Sequence, residues 1–174
     1  MFKHILMPTD GSQHSERAVE RGIQLARLCG AKVTGIHVMQ DHRFFDAGDG
    51  WIDALAGERM EQEARGQAAA FLSFVQRTAD AAGVSCQTLV ATNNHPFDAI
   101  VDAANDSGCD LIVMTGRSRK GLVSLVMGTG ATRVLHRSSI PVLTFRAIMS
   151  ADHPDTGQPV SRALVDSDQR YAPI

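Results

Sequence analysis

The chain lacks an excess of either charge. Its 174 residues hold 17 Lys and Arg against 19 Asp and Glu, a formal net charge of −2. A bulk nucleic-acid binder carries a marked basic excess, so that class is excluded. Long hydrophobic runs are also missing. No stretch approaches the roughly 18 apolar residues of a membrane-spanning helix, so no membrane partner is expected. Cysteine is sparse: Cys29, Cys86 and Cys109 are odd in number, widely spaced and without zinc-site spacing. They read as reduced, structural thiols of a cytoplasmic protein. Met1-Phe2-Lys3-His4 runs straight into an apolar segment and does not have the layout of a signal peptide. Several motifs are absent as well. There is no Gly-x-x-x-x-Gly-Lys-Ser/Thr, no dinucleotide fingerprint and no Gly-x-Ser-x-Gly elbow. Neither His4 nor His37 has a neighbour at metal-ligand spacing, so no metal site is expected.

What is present is ordinary globular composition, 44% hydrophobic and 21% charged. That is enough apolar surface for a core, and the length suits one domain with a tail. Phe2 to Pro8 is an apolar run with Ile5-Leu6-Met7 contiguous, as expected of a strand buried on both faces. Pro8-Thr9-Asp10-Gly11-Ser12 is a turn that offers Ser12 as a helix cap. Ala18, Val19, Gly22, Ile23 and Ala26 then recur at helical spacing until Gly30. Val33, Ile36 and Val38 mark a second strand. A polar loop over 40–52 carries Phe44, Phe45 and Trp51, which are expected to cluster over the core. An Ala-rich helix is expected from Asp53 to Ala82, and a third strand from Val84 to Thr92. A helix opens at His95-Pro96 and runs through Ala104. Leu111 to Met114 is a fourth strand, Gly128 to His136 a last helix, and Ile140 to Phe145 a fifth strand.

Strands alternate with helices throughout. The expectation is a single α/β domain over 1–146, with a doubly wound, Rossmann-like, five-stranded parallel sheet and helices on both faces. Residues 147–174 hold three prolines and four aspartates among few apolar residues. They are expected to form a mobile extension that folding does not need.

In such a sheet, ligands bind beyond the carboxyl ends of the strands, where the strand order reverses. Two segments fall there: Pro8-Thr9-Asp10-Gly11-Ser12, and Thr115-Gly116-Arg117-Ser118 continuing to Gly128-Thr129-Gly130. Glycine admits backbone N–H groups close to an anion, and a helix start adds free donors, so the second segment suits phosphate. It also reads as a solvated turn with a glycine placed for packing. Asp10 can hold a ribose hydroxyl or a metal, or can simply close an Asx turn. Cys86 and Cys109 are expected to act as small buried hydrophobes.

Three stretches in order give the chain a resemblance to the universal stress protein family. They are Lys3 through Ser12, Gly35-Ile36-His37-Val38, and Asp110-Leu111-Ile112-Val113-Met114 running through Gly128-Thr129 to Ser139-Ile140-Pro141-Val142-Leu143. The resemblance implies a homodimer, a role in stress survival and, in some members, ATP held by a Gly-x-x-Gly, nine residues, Gly-Ser/Thr pattern. On that pattern Gly128 and Thr129 match. Thr115 and Ser118 stand where the first two glycines belong, and Gly116 is displaced by one. Asp10 matches the aspartate after the first strand. Val38 matches the residue whose backbone meets adenine. The resemblance therefore implies ATP or AMP, with magnesium, between Asp10 and Gly128-Thr129-Gly130, under a loop carrying Arg117 and Ser118. The function expected is a dimeric regulatory module rather than an enzyme. An interaction-only stress protein and a weak nucleotide hydrolase are the alternatives. The two-fold contact is expected along the fifth strand, Pro141 to Arg146, as a sheet edge. Neither the stress signal nor a protein partner can be read from the residues.

Overall fold

A computed structural model describes residues 1–40, 54–116 and 129–146. The expectations placed on Phe44, Phe45, Trp51, Arg117, Ser118, Gly128 and residues 147–174 lie outside the described residues. Five strands alternate with four helices: β1 (His4–Pro8), α1 (Gln13–Cys29), β2 (Lys32–Met39), α2 (Ala54–Ala81), β3 (Cys86–Thr92), α3 (Pro96–Asp106), β4 (Leu111–Gly116), α4 (Thr129–Arg137) and β5 (Val142–Arg146). All pairings are parallel and the sheet order is β3-β2-β1-β4-β5. The order reverses between β1 and β4, the two central neighbours.

Local chemistry explains the elements. Ser12 caps α1 with extended backbone, its hydroxyl accepting the Ser15 N–H at 3.3 Å. At the other end Gly30 turns left-handed with φ 64°, and its N–H bonds back to the last turn. The buried residues of α1 are Ser15, Ala18, Val19, Gly22, Ile23 and Ala26, a stripe at helical spacing. Pro96 opens α3, where its missing N–H costs nothing.

The central strands β1 and β4 bury both faces, so the core has two halves, while the edge strand β3 is largely exposed. On one face Ile5, Met7, Val33, Leu111 and Val113 pack under Val19 and Ile23 of α1 and Val75 and Ala79 of α2. On the other, Leu6, Ile36, Ile112 and Met114 pack under Ile100 and Ala104 of α3 and Ala131 and Val134 of α4. Gly35 lets α2 sit close, since a Cβ there would lie 2.9 Å from Val75 Cγ1. Cys109 is buried, and that burial pushes its thiol up to about 11, so it behaves as an apolar residue. Cys86 is only half-buried, and its thiol is also raised by burial.

Two polar contacts fix the amino ends of the central strands. Asp110 accepts the Lys3 N–H at 2.7 Å and the His4 N–H at 3.0 Å through its two carboxylate oxygens. Burial pushes this carboxyl up, but the His4 and Lys3 amides outweigh it and hold the group below its ordinary value. His4 is buried beside Thr34, with Nε2 2.8 Å from the hydroxyl. Burial lowers the affinity of this imidazole for a proton, and the nearby Lys32 lowers it further.

Candidate functional site

The pairing of β1 with β4 stops before the carboxyl ends of the two strands. β1 registers with β2 along its whole length, from His4↔Lys32 to Pro8↔Ile36. With β4 it pairs only at Ile5↔Leu111 and Leu6↔Ile112, although both strands run on. The Thr9 N–H donates to the Ile36 carbonyl of β2 at 2.9 Å. Amides alternate along a strand, so the nitrogen of Pro8 turns the other way, towards β4. Proline has no hydrogen to give there, and the ladder stops. The break falls where the strand order reverses, the place at which ligands bind in open α/β sheets.

The turn after β1 is held by a chain of donors. The Gly11 N–H donates to Thr9 Oγ1 at 3.2 Å. Thr9 Oγ1 and Ser15 Oγ lie 3.1 Å apart, and the Ser15 hydroxyl donates to the Ser12 carbonyl at 2.8 Å. Its proton is thus committed, and Thr9 donates to Ser15. Thr9 and Ser15 are both buried. Asp10 is exposed, and its Oδ1 accepts the Ser12 N–H at 3.1 Å, together with the Ser12 hydroxyl. This is an Asx turn, and it aims the carboxylate outward from the end of β1.

Gly11 is required by this turn. Its φ is +71°, and a Cβ would lie 2.1 Å from the Phe71 ring of α2. Phe71 also meets the His37 ring edge-on, centroids 5.2 Å apart at 69°. His37 Nδ1 lies 2.8 Å from the Thr9 carbonyl oxygen.

The residues expected at the site sort as follows. Pro8 ends β1, and Thr9 and Asp10 follow it. Thr9 points its side chain into the turn, while Asp10 points outward. Val38 lies on β2 two residues beyond Ile36, past the end of β1. Thr115 and Gly116 end β4, and Gly130 lies at the start of α4 beside Thr129. Among the described residues nothing comes within 4 Å of a Cβ at Gly130, so their packing does not demand glycine there. His37 and Phe71 were not foreseen as site residues. The strand alternation around Val38 holds the only sequence signal for His37, and Phe71 reads simply as a core anchor. Among the described residues no group of three or more His, Cys, Asp or Glu side chains could hold a metal, and no helix is long and apolar enough to cross a membrane.

The sequence model of the universal stress protein family matches residues 1–146. The chain belongs to the universal stress protein family. A universal stress protein of Methanocaldococcus jannaschii is 32% identical over 148 residues, covering 84% of this chain and 83% of that one. One from Bacillus subtilis is 26% identical, covering 84% and 100%. Solved universal stress protein structures share the fold. A hypothetical protein of M. jannaschii superposes with a TM-score of 0.69 at 22% identity, over 86% of this chain and 99% of its own. A universal stress protein in complex with cAMP gives 0.62 at 25%, over 83% and 97%. A family protein of Arabidopsis thaliana with AMP bound gives 0.60 at 17%, over 83% and 91%.

Proposed function

We propose that this universal stress protein is a regulatory module that binds an adenine nucleotide in the crevice between β1 and β4 and works as a homodimer. The observation that carries the reading is the early end of the β1–β4 ladder at Leu6↔Ile112. It lies at the topological switch of the sheet, next to Asp10, which supports a ligand site there. Two solved relatives hold cAMP and AMP, which supports this ligand class.

The described residues fit such a ligand. The backbone at Val38 lies beyond β1 and can meet a base edge. Asp10 suits the ribose hydroxyls, since a carboxylate accepts two donors. The start of α4, Thr129-Gly130, offers the N–H groups of a helix N-terminus and the positive end of its dipole to a phosphate. Magnesium would arrive with the nucleotide, held by its phosphates and Asp10. Thr115 and Ser118, in place of the motif glycines, favour the interaction-only alternative.

Mass spectrometry of the acid extract of purified full-length protein tests the ligand. We expect AMP, cAMP or ATP at up to one per chain. An extract free of adenine nucleotide, from protein whose melting temperature does not rise with added AMP, refutes the reading.

The dimer is supported at β5, an edge of the sheet. Leu143 of β5 and Leu135 of α4 are 37% and 46% exposed, apolar area that a two-fold mate would cover.

A further inference from the structure

Among the described residues the amide of Val38 makes no rung to the β1 side of the sheet. The β1–β2 register ends at Pro8↔Ile36, with the Thr9 N–H on the Ile36 carbonyl. The next rung of a parallel ladder would run from the Val38 N–H to the Thr9 carbonyl. That carbonyl is 2.8 Å from His37 Nδ1 instead. Among the described residues no hydrogen bond joins the Val38 amide to it. A carbonyl oxygen only accepts, so Nδ1 carries the proton. The ring is braced by the edge-on contact with Phe71, and Phe71 in turn fills the space above Gly11. Val38 N–H and C=O face the same side as those of Ile36, towards β1, but β1 has already ended.

We propose that His37 is a positioning residue: its Nδ1–H draws the Thr9 carbonyl out of line with the Val38 amide, so that this amide stays out of the ladder and faces an adenine edge. The role in binding rests on the adenine-nucleotide reading above. Val38 then offers a donor beside an acceptor. The Watson–Crick edge of adenine carries an acceptor beside a donor and matches, whereas guanine carries the reverse. The same device therefore sets a preference for adenine over guanine.

Amide hydrogen exchange on the ligand-free full chain tests the positioning. His37→Leu removes the donor and lets the Val38 N–H close the rung. His37→Asn puts an amide N–H close to the place of Nδ1. The Val38 amide is expected to exchange at least about tenfold faster in wild type and His37→Asn than in His37→Leu, with Ile5 and Val113 equally protected in all three. Equal protection of Val38 in all three overturns the proposal. Nitrogen NMR of the wild-type imidazole needs no mutation: a protonated Nδ1 is expected, and a bare Nδ1 overturns it. Calorimetry with AMP and GMP adds the binding arm. His37→Leu should weaken AMP about tenfold, the worth of one hydrogen bond, leave GMP unchanged, and be rescued by His37→Asn. The expected exchange pattern in a protein that binds no AMP upholds the hold on Val38. It overturns the nucleotide reading instead, and the base preference with it.

Discussion

Replacing Gly11 with alanine tests whether the β1 turn is as tightly determined as its geometry implies. Two costs add. A φ of +71° places an L-residue in the left-handed region, at about 1–2 kcal/mol. The new Cβ would also sit 2.1 Å from Phe71 Cε1, far inside the contact distance of about 3.5–4.0 Å. The ring must move, and it is braced against His37. Overpacking of this kind costs about 1–3 kcal/mol. The sum is about 2–5 kcal/mol, which at about 2–4 °C per kcal/mol for a chain of this size lowers the melting temperature by about 4–20 °C. Urea unfolding of Gly11→Ala, Phe71→Ala and the double variant separates the parts. Removing the ring abolishes the clash but not the backbone strain. The double variant should therefore be about 1–3 kcal/mol more stable than the sum of the single effects predicts. A loss below about 1 kcal/mol, or strictly additive effects, would refute the reasoning.

Three further expectations follow from named contacts. His4 is held neutral in the fold, so the unfolded chain takes up a proton first: stability is full above pH 6.5 and falls as pH drops below it, through the lowered folded value. His4→Asn should flatten that part of a pH-dependent unfolding curve, and an unchanged slope contradicts the assignment. Asp110→Ala leaves the Lys3 and His4 amides without their acceptor and should cost about 0.5–1.5 kcal/mol in urea, since water can reach them. The carboxylate's contribution is present above pH 3.8 and lost as pH falls through its depressed folded value, so the variant should narrow its gap to wild type in acid. Light scattering should give a dimer that Leu143→Lys on the β5 edge converts to monomer, and a wild-type monomer at micromolar concentration contradicts the interface.

The fold was legible because its signals are local. Contiguous Ile5-Leu6-Met7 and Leu111-Ile112-Val113-Met114 suit strands covered on both faces, and Ser12 and Gly30 bracket α1 by cap chemistry. Boundaries moved where turns competed. Val84 was expected to start a strand, but its N–H bonds back to Ala79 at the end of α2, so β3 begins at Cys86. Ile140 was expected in the last strand, but its N–H donates to the Ser138 hydroxyl, and β5 begins at Val142. The place where the strand order reverses followed from strand alternation, but the contacts that build the turn there did not. Thr9 points inward because Ser15, six residues away, turns to meet it on the first turn of α1. His37 reaches the Thr9 carbonyl only because β2 lies beside β1 in a particular register. Phe71 covers Gly11 from a helix about sixty residues away in sequence. Each of these contacts depends on tertiary register, which composition and periodicity do not carry.

The central claim is that the crevice between β1 and β4 takes an adenine nucleotide with its phosphate at the start of α4. Calorimetric titration of the full chain with AMP, with Gly130→Val measured alongside, tests it most directly. Among the described residues nothing lies within 4 Å of a Cβ at Gly130, so the branched side chain meets no clash with them and yet stands where a phosphate would approach the helix N-terminus. We predict one AMP per chain at micromolar affinity in the wild type, weakened about tenfold or more in the variant, the loss of a charge-assisted hydrogen bond. No measurable heat from AMP up to millimolar concentration, or equal affinity in both proteins, would contradict the account.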